Sequence, residues 1–161
     1  MTKNMKAFLD MIAWSEGTST SPATKCNGYD VIVTGLDKKP EVFDDFSAHP
    51  FASGRKSKAI NSKGLTSNAS GRYQFMLRDY AHYRDLLKLP DFGPESQDRW
   101  AMQLIKERKA IPLIENGQVE QAISRVSNIW ASLPGAGYDQ PEHSMEKLVA
   151  QYTKAGGEVR A

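Results

Sequence analysis

Apolar residues recur at helical spacing at the start of the chain, where Met5, Phe8, Leu9 and Ile12 form one stripe. Glu16 is next in that series. At about 100° per residue it lies only about 20° round the helix from Met5. The pattern predicts a helix over 4–16 whose core-facing stripe ends in a carboxylate. Gly17 follows directly, and glycine readily takes the positive φ that ends helices.

The pattern then changes period. Beyond a polar, turn-rich stretch, Tyr29-Asp30-Val31-Ile32-Val33-Thr34 is short and β-branched, as a strand should be. Gly35 to Pro40 reads as a turn, and Val42-Phe43 as a second strand pairing back, which places a β-lobe at about 28–50. Residues 52–72 show little periodicity. They carry Arg55, Lys56, Lys58, Lys63 and Arg72 and no acidic residue, so they read either as a mobile basic binding loop or as a solvated linker.

From 73 to about 157 the pattern is helical. Phe75, Met76, Tyr80, Tyr83, Leu86 and Leu87 mark a helix over 75–88, and the proline- and glycine-rich stretch 89–94 breaks it. A helix from Pro94 to about Arg108 turns Trp100, Ala101, Leu104 and Ile105 inward. A short helix, Ile111 to Glu115, stops at Asn116-Gly117. Val119, Ala122, Ile123, Val126 and Ile129-Trp130 mark another helix, and 133–138 is a tight loop. A last helix covers about 142–154, with Met145, Leu148, Val149 and Tyr152 inward. The prediction is one α+β domain, mostly helical, with one small antiparallel sheet and a cleft between lobes.

Glu16 has two readings. If its side chain follows the apolar stripe, burial and the negative end of the helix dipole both favour the protonated form, which suits a general acid. If it twists away, it is an ordinary solvated glutamate. Composition narrows the chemistry. The 161 residues are 40% hydrophobic, enough for a core, and Cys26 is the only cysteine, so no internal disulfide forms. The net charge of +2 permits an anionic partner without requiring nucleic acid. No long apolar run opens the chain, so neither a signal peptide nor a spanning helix is expected, and the product should accumulate in the cytoplasm. His49, His82 and His143 are scattered, and no G-x-S-x-G elbow, Walker loop or dinucleotide fingerprint occurs, so no metal and no cofactor is expected. By elimination, a carboxylate mechanism rises.

Four pieces, in order and at matching spacing, carry a resemblance: Ala13-Trp14-Ser15-Glu16-Gly17-Thr18, Gly28-Tyr29-Asp30-Val31-Ile32-Val33, Gly71-Arg72-Tyr73-Gln74, and Asn128-Ile129-Trp130-Ala131-Ser132-Leu133-Pro134-Gly135-Ala136-Gly137-Tyr138. Together they resemble the lambda-type phage endolysins, lytic transglycosylases of the lysozyme-like superfamily. The resemblance implies a lysozyme-like fold. It also implies cleavage of the β-1,4 bond between N-acetylmuramic acid and N-acetylglucosamine, with a 1,6-anhydro product and lysis of the host cell. It maps the single catalytic glutamate onto Glu16 and suggests substrate contacts for Tyr29, Asp30, Gln74 and Tyr138. The partner implied is the glycan strand of peptidoglycan, with no nucleic acid and no stable membrane association. A monomer is expected, held in the host cytoplasm until a separate holin gives access to the periplasmic wall. The sequence departs from the family's pattern in the longer segment Thr34 to Val42, in residues 51–61 and at Asp79-Tyr80. Two other readings stay open: a hydrolytic muramidase with Asp30 or Asp45 as second carboxylate, and a non-catalytic binding module.

Overall fold

A computed structural model describes residues 1–136 and 142–160. Its elements are α1 (Lys3–Ser15), β1 (Val31–Ile32), β2 (Glu41–Val42), β3 (Lys58–Ala59), β4 (Thr66–Ser67), α2 (Leu77–Leu87), α3 (Pro94–Glu107), α4 (Ile111–Glu115), α5 (Val119–Val126) and α6 (Met145–Lys154). The α+β prediction holds, and every predicted helix is present within a few residues. The chain forms two compact units, residues 1–16 with 101–161, and residues 17–100. No helix among the described residues is long and apolar enough to cross a membrane.

In the first unit α1 is the central element. Thr2 caps its start, its Oγ1 accepting from the Met5 amide at 3.1 Å. The predicted stripe is buried, and so are Ala7, Met11, Ala13 and Ser15, so α1 is enclosed on more faces than an amphipathic surface helix. It packs on α6 and α4, where Leu148, Tyr152 and Ile114 have essentially no exposure. Each large aliphatic side chain so enclosed contributes about 2 kcal/mol. The ends of the chain are tied together here: the Lys3 ammonium meets the Glu158 carboxylate at 2.8 Å, and the Glu158 amide donates to Asn4 Oδ1 at 3.0 Å.

The second unit holds two antiparallel two-stranded sheets instead of the one that was expected. β1 pairs with β2 in the register Val31↔Val42 and Ile32↔Glu41. The predicted strand 29–34 shrinks to two residues, because the Tyr29 amide closes a turn on Cys26 O and the Val33 amide donates to Ala69 O instead. β3 and β4, register Lys58↔Ser67 and Ala59↔Thr66, form a hairpin inside the basic segment 52–72. That hairpin is anchored to β2, where Glu41 takes Arg55 at 2.9 Å and Lys58 at 3.0 Å. The segment therefore holds a short paired hairpin within it.

An aromatic core supports both sheets. Phe75 stacks flat on Trp100, with ring centroids 4.0 Å apart, and Phe43, Tyr80 and Phe92 close round them. His49 belongs to this core. Its Nε2–H donates to Phe75 O at 2.8 Å, its Nδ1 accepts from the Phe51 amide, and burial pushes its pKa down. It is a neutral structural histidine.

Candidate active site

The last turn of α1 positions Glu16. Its amide donates to Ile12 O at 2.8 Å, so the residue is still held by the helix, as its C-cap. Gly17 then leaves at φ 77°, which a residue with a Cβ rarely adopts. The side chain is only partly accessible. Burial of its carboxyl raises the pKa from 4.5 to about 7, and a hydrogen bond from Ser132 pulls the other way. Burial wins. The side chain is thus partly enclosed and not fully solvated.

Ser132 sits in a turn after α5, and its hydroxyl donates to Glu16 Oε2 at 2.5 Å. Ser15 Oγ lies 2.7 Å from Ser132 Oγ. The same stretch of α1 is also clamped by His143. His143 Nε2–H donates to Ser15 O at 3.0 Å, its amide donates to Ser132 O at 2.9 Å, and its ring lies against Trp14 with centroids 4.6 Å apart. Sequence reasoning missed Ser15, Ser132 and His143. The first two do lie inside quoted motifs, but a serine in a turn has no periodic signature.

The other predicted site residues fall in the second unit and differ in what they can do. Gln74 follows the turn Gly71-Arg72-Tyr73, which is fixed by the fully buried Gln97 of α3. Gln97 Oε1 accepts from the Arg72 amide at 2.8 Å, while its Nε2 donates to Phe92 O at 2.8 Å and Tyr29 O at 3.1 Å. A Cβ on Gly71 would run into that amide group. Gln74 itself has φ 55°, unusual for a residue with a side chain. Its Nε2 donates to Gly71 O at 2.9 Å, which assigns the amide's orientation and leaves Oε1 an acceptor with no partner among the described residues.

Tyr29 is half-buried, and its hydroxyl donates to Asp98 Oδ1 at 2.9 Å, an acceptor shared with Tyr73 at 2.6 Å. Burial first, then the Asp98 charge, pushes its pKa to about 12. Arg72 lies over both tyrosine rings. Asp30 is buried, with Oδ1 accepting from Thr24 Oγ1 at 2.5 Å and Oδ2 from the Lys25 amide at 2.9 Å. Each of its oxygens accepts from the loop 24–28. Asp45 is exposed and closes a local turn on the Ser47 amide at 2.9 Å. Burial and Asp30 raise the Cys26 thiol's pKa, which disfavours the reactive thiolate. Tyr138 lies outside the described residues.

Known proteins are similar to this chain over nearly its whole length. The model of the Endolysin family matches residues 6–159. The endolysin of Escherichia phage P2 is 61% identical over 155 residues, covering 96% of this chain and 94% of that protein. The endolysin of Escherichia phage lambda is 53% identical over 156 residues, covering 96% and 92%. The structure of bacteriophage lambda lysozyme complexed with a chitohexasaccharide superposes with a TM-score of 0.90 at 51% identity, covering 99% of this chain and 98% of that one. A match running nearly the whole length by family, sequence and fold leaves one assignment: the chain belongs to the Endolysin family.

Proposed function

We propose that this protein is a peptidoglycan-degrading endolysin that works as a lytic transglycosylase, with Glu16 as its sole acid and base. The observation that carries the proposal is the partly enclosed Glu16 carboxyl, held at the end of α1 with a pKa near 7. A lysozyme-like relative at 51% identity that takes a chitohexasaccharide supports a glycan as substrate.

Protonated Glu16 gives its proton to the glycosidic oxygen as the bond from C1 of the muramic acid breaks through an oxocarbenium-like state. The C6 hydroxyl of the same sugar then attacks C1, and ionised Glu16 takes the hydroxyl proton. One bond to C1 is lost, one is gained, and the carboxyl ends protonated as it began. The attack is intramolecular, so proximity replaces a second carboxylate. A pKa near 7 suits a group that must donate and then accept. Asp30, the first candidate for a second carboxylate, has both oxygens committed to its own loop, and Asp45 is spent on a turn. Both facts favour the transglycosylase over the hydrolytic muramidase. Gln74 Oε1 offers an acceptor for an N-acetyl N–H or a hydroxyl of the glycan. Tyr138 is proposed as an apolar wall for a sugar ring.

Digestion of purified sacculi tests the assignment. The wild type should release fragments ending in 1,6-anhydro-muramic acid, lighter by one water than hydrolysed ends. Glu16→Gln should stay folded and release essentially nothing. Hydrated ends would establish the muramidase instead, and an active Glu16→Gln would remove Glu16 from the mechanism.

A further inference from the structure

We infer that Ser132 and Ser15 form a hydroxyl relay that stabilises Glu16 once it has given up its proton, which makes both serines positioning residues for the reaction. The inference rests on the proposed role of Glu16 and extends it.

The direction follows from counting hydrogens. A serine hydroxyl has one proton. Ser132 spends it on Glu16 Oε2, at 2.5 Å. Its 2.7 Å contact with Ser15 Oγ must then be one in which Ser15 donates and Ser132 accepts. With Glu16 ionised, the chain therefore runs Ser15 to Ser132 to Glu16, every donor pointing toward the carboxylate. This direction is the one the ionised carboxylate imposes, because it can only accept, whereas a protonated carboxyl could itself donate to Ser132.

The relay is built rigidly. Ser15 is only 4% exposed and belongs to the last turn of α1, so its hydroxyl cannot swing far. Ser132 is held through its carbonyl by the His143 amide at 2.9 Å, and His143 is held to α1 through Ser15 O at 3.0 Å and the Trp14 ring. These links fix the Ser132 hydroxyl against the helix end that carries Glu16.

The relay also changes what the carboxyl is worth in each state. A hydrogen bond to an ionised group is roughly twice as strong as one to a neutral group. Ser132 therefore stabilises Glu16 after it has given up its proton more than before, which assists the first half of the reaction. Burial and the Ser132 bond act on the carboxyl, and no charged side chain among the described residues adds to them. Among the described residues, the titratable groups nearby on the chain after Ser132 are His143, which donates to Ser15 O, and Glu142, whose carboxylate accepts from the Gly135 amide at 3.1 Å.

The test compares Ser132→Ala, Ser132→Thr and Ser15→Ala with the wild type, by the 13C titration of the Glu16 carboxyl and by kcat and KM on soluble glycan strands. Ser132→Ala should move the Glu16 midpoint, and with it the alkaline limb of the rate profile, upward by about one pH unit. It should lower kcat about tenfold and leave KM within about twofold. Ser15→Ala should shift both readouts the same way by less, and Ser132→Thr should restore both. If Ser132→Ala fails to fold, Ser132→Thr against the isosteric Ser132→Val gives the same comparison. A titration midpoint unchanged in the variant without a hydroxyl, whatever happens to its rate, overturns the relay. The spectroscopic readout needs no turnover, so an active Glu16→Gln would sink the catalytic assignment while leaving the relay separately measurable.

Discussion

A carboxyl that titrates at about 7 in the folded chain and near 4.5 without its surroundings ties stability to pH with a definite sign. Between those values the folded state keeps a proton that the unfolded state has released. Stability from this group is therefore complete below pH 4.5, falls as pH rises toward 7, and stays low above it. The gap corresponds to roughly 3 kcal/mol, and water at the accessible edge of the side chain trims this to roughly 2. Glu16→Gln removes the ionisation but keeps the shape. It should be more stable than the wild type at pH 8 by about 2 kcal/mol and no more stable at pH 4, as urea unfolding at the two pH values would read. Equal stability at pH 8 would mean the carboxyl is well solvated and the acid chemistry has no physical basis. At this scale the chain was half legible. Glu16 could be found because it continues a stripe that must face inward. Its serine partners could not, since Ser132 reaches it from the other end of the chain. Nor could the fate of Asp30, whose residue type predicts a carboxylate but not the two donors that occupy it.

Among the elements, α3 does more than supply apolar side chains. Its Gln97 satisfies the Arg72 amide and two carbonyls inside the second unit, and so sets the turn from which Gln74 projects. Gln97→Leu keeps the volume and abandons all three partners. It should cost about 3 kcal/mol in denaturant unfolding, more than a typical core exchange of similar size, because buried polar groups are left unpaired. A loss below about 1 kcal/mol would mean that water or a shifted backbone takes over. The hairpin β3–β4 makes the contrary point. Its paired residues, Lys58-Ala59 and Thr66-Ser67, are short and show no apolar alternation, which is why helical stretches were readable and this hairpin was not. Within it Arg55 and Lys58 are engaged by Glu41, whereas Lys56 and Lys63 are exposed. On the proposed reading these two lysines meet the carboxylates of the wall. Lys56→Gln with Lys63→Gln should weaken binding to sacculi several-fold at low salt and hardly at all at high salt. Equal retention in a low-salt pull-down would assign the segment to structure alone.

For the molecule as a whole, chain order and compact units do not coincide, and this has a measurable consequence. The first unit is assembled from the first 16 residues and everything after 100. α1, which carries the proposed acid at its end, has α6 as a principal packing partner, and the two are fastened by Lys3 with Glu158 and by Asn4 with the Glu158 amide. Each helix buries apolar surface against the other. Leu148, fully enclosed on α6, makes the coupling testable. Leu148→Ala should cost about 2–5 kcal/mol by loss of transferred surface and the cavity left behind. If the two helices are one cooperative piece, amide hydrogen exchange should accelerate in α1 by the same factor as in α6, although the substitution lies at the opposite end of the sequence. Acceleration confined to α6 would show that α1 is held by its other neighbours. The proposed acid would then be independent of the C-terminal helix, and losses of activity from α6 substitutions would need another cause.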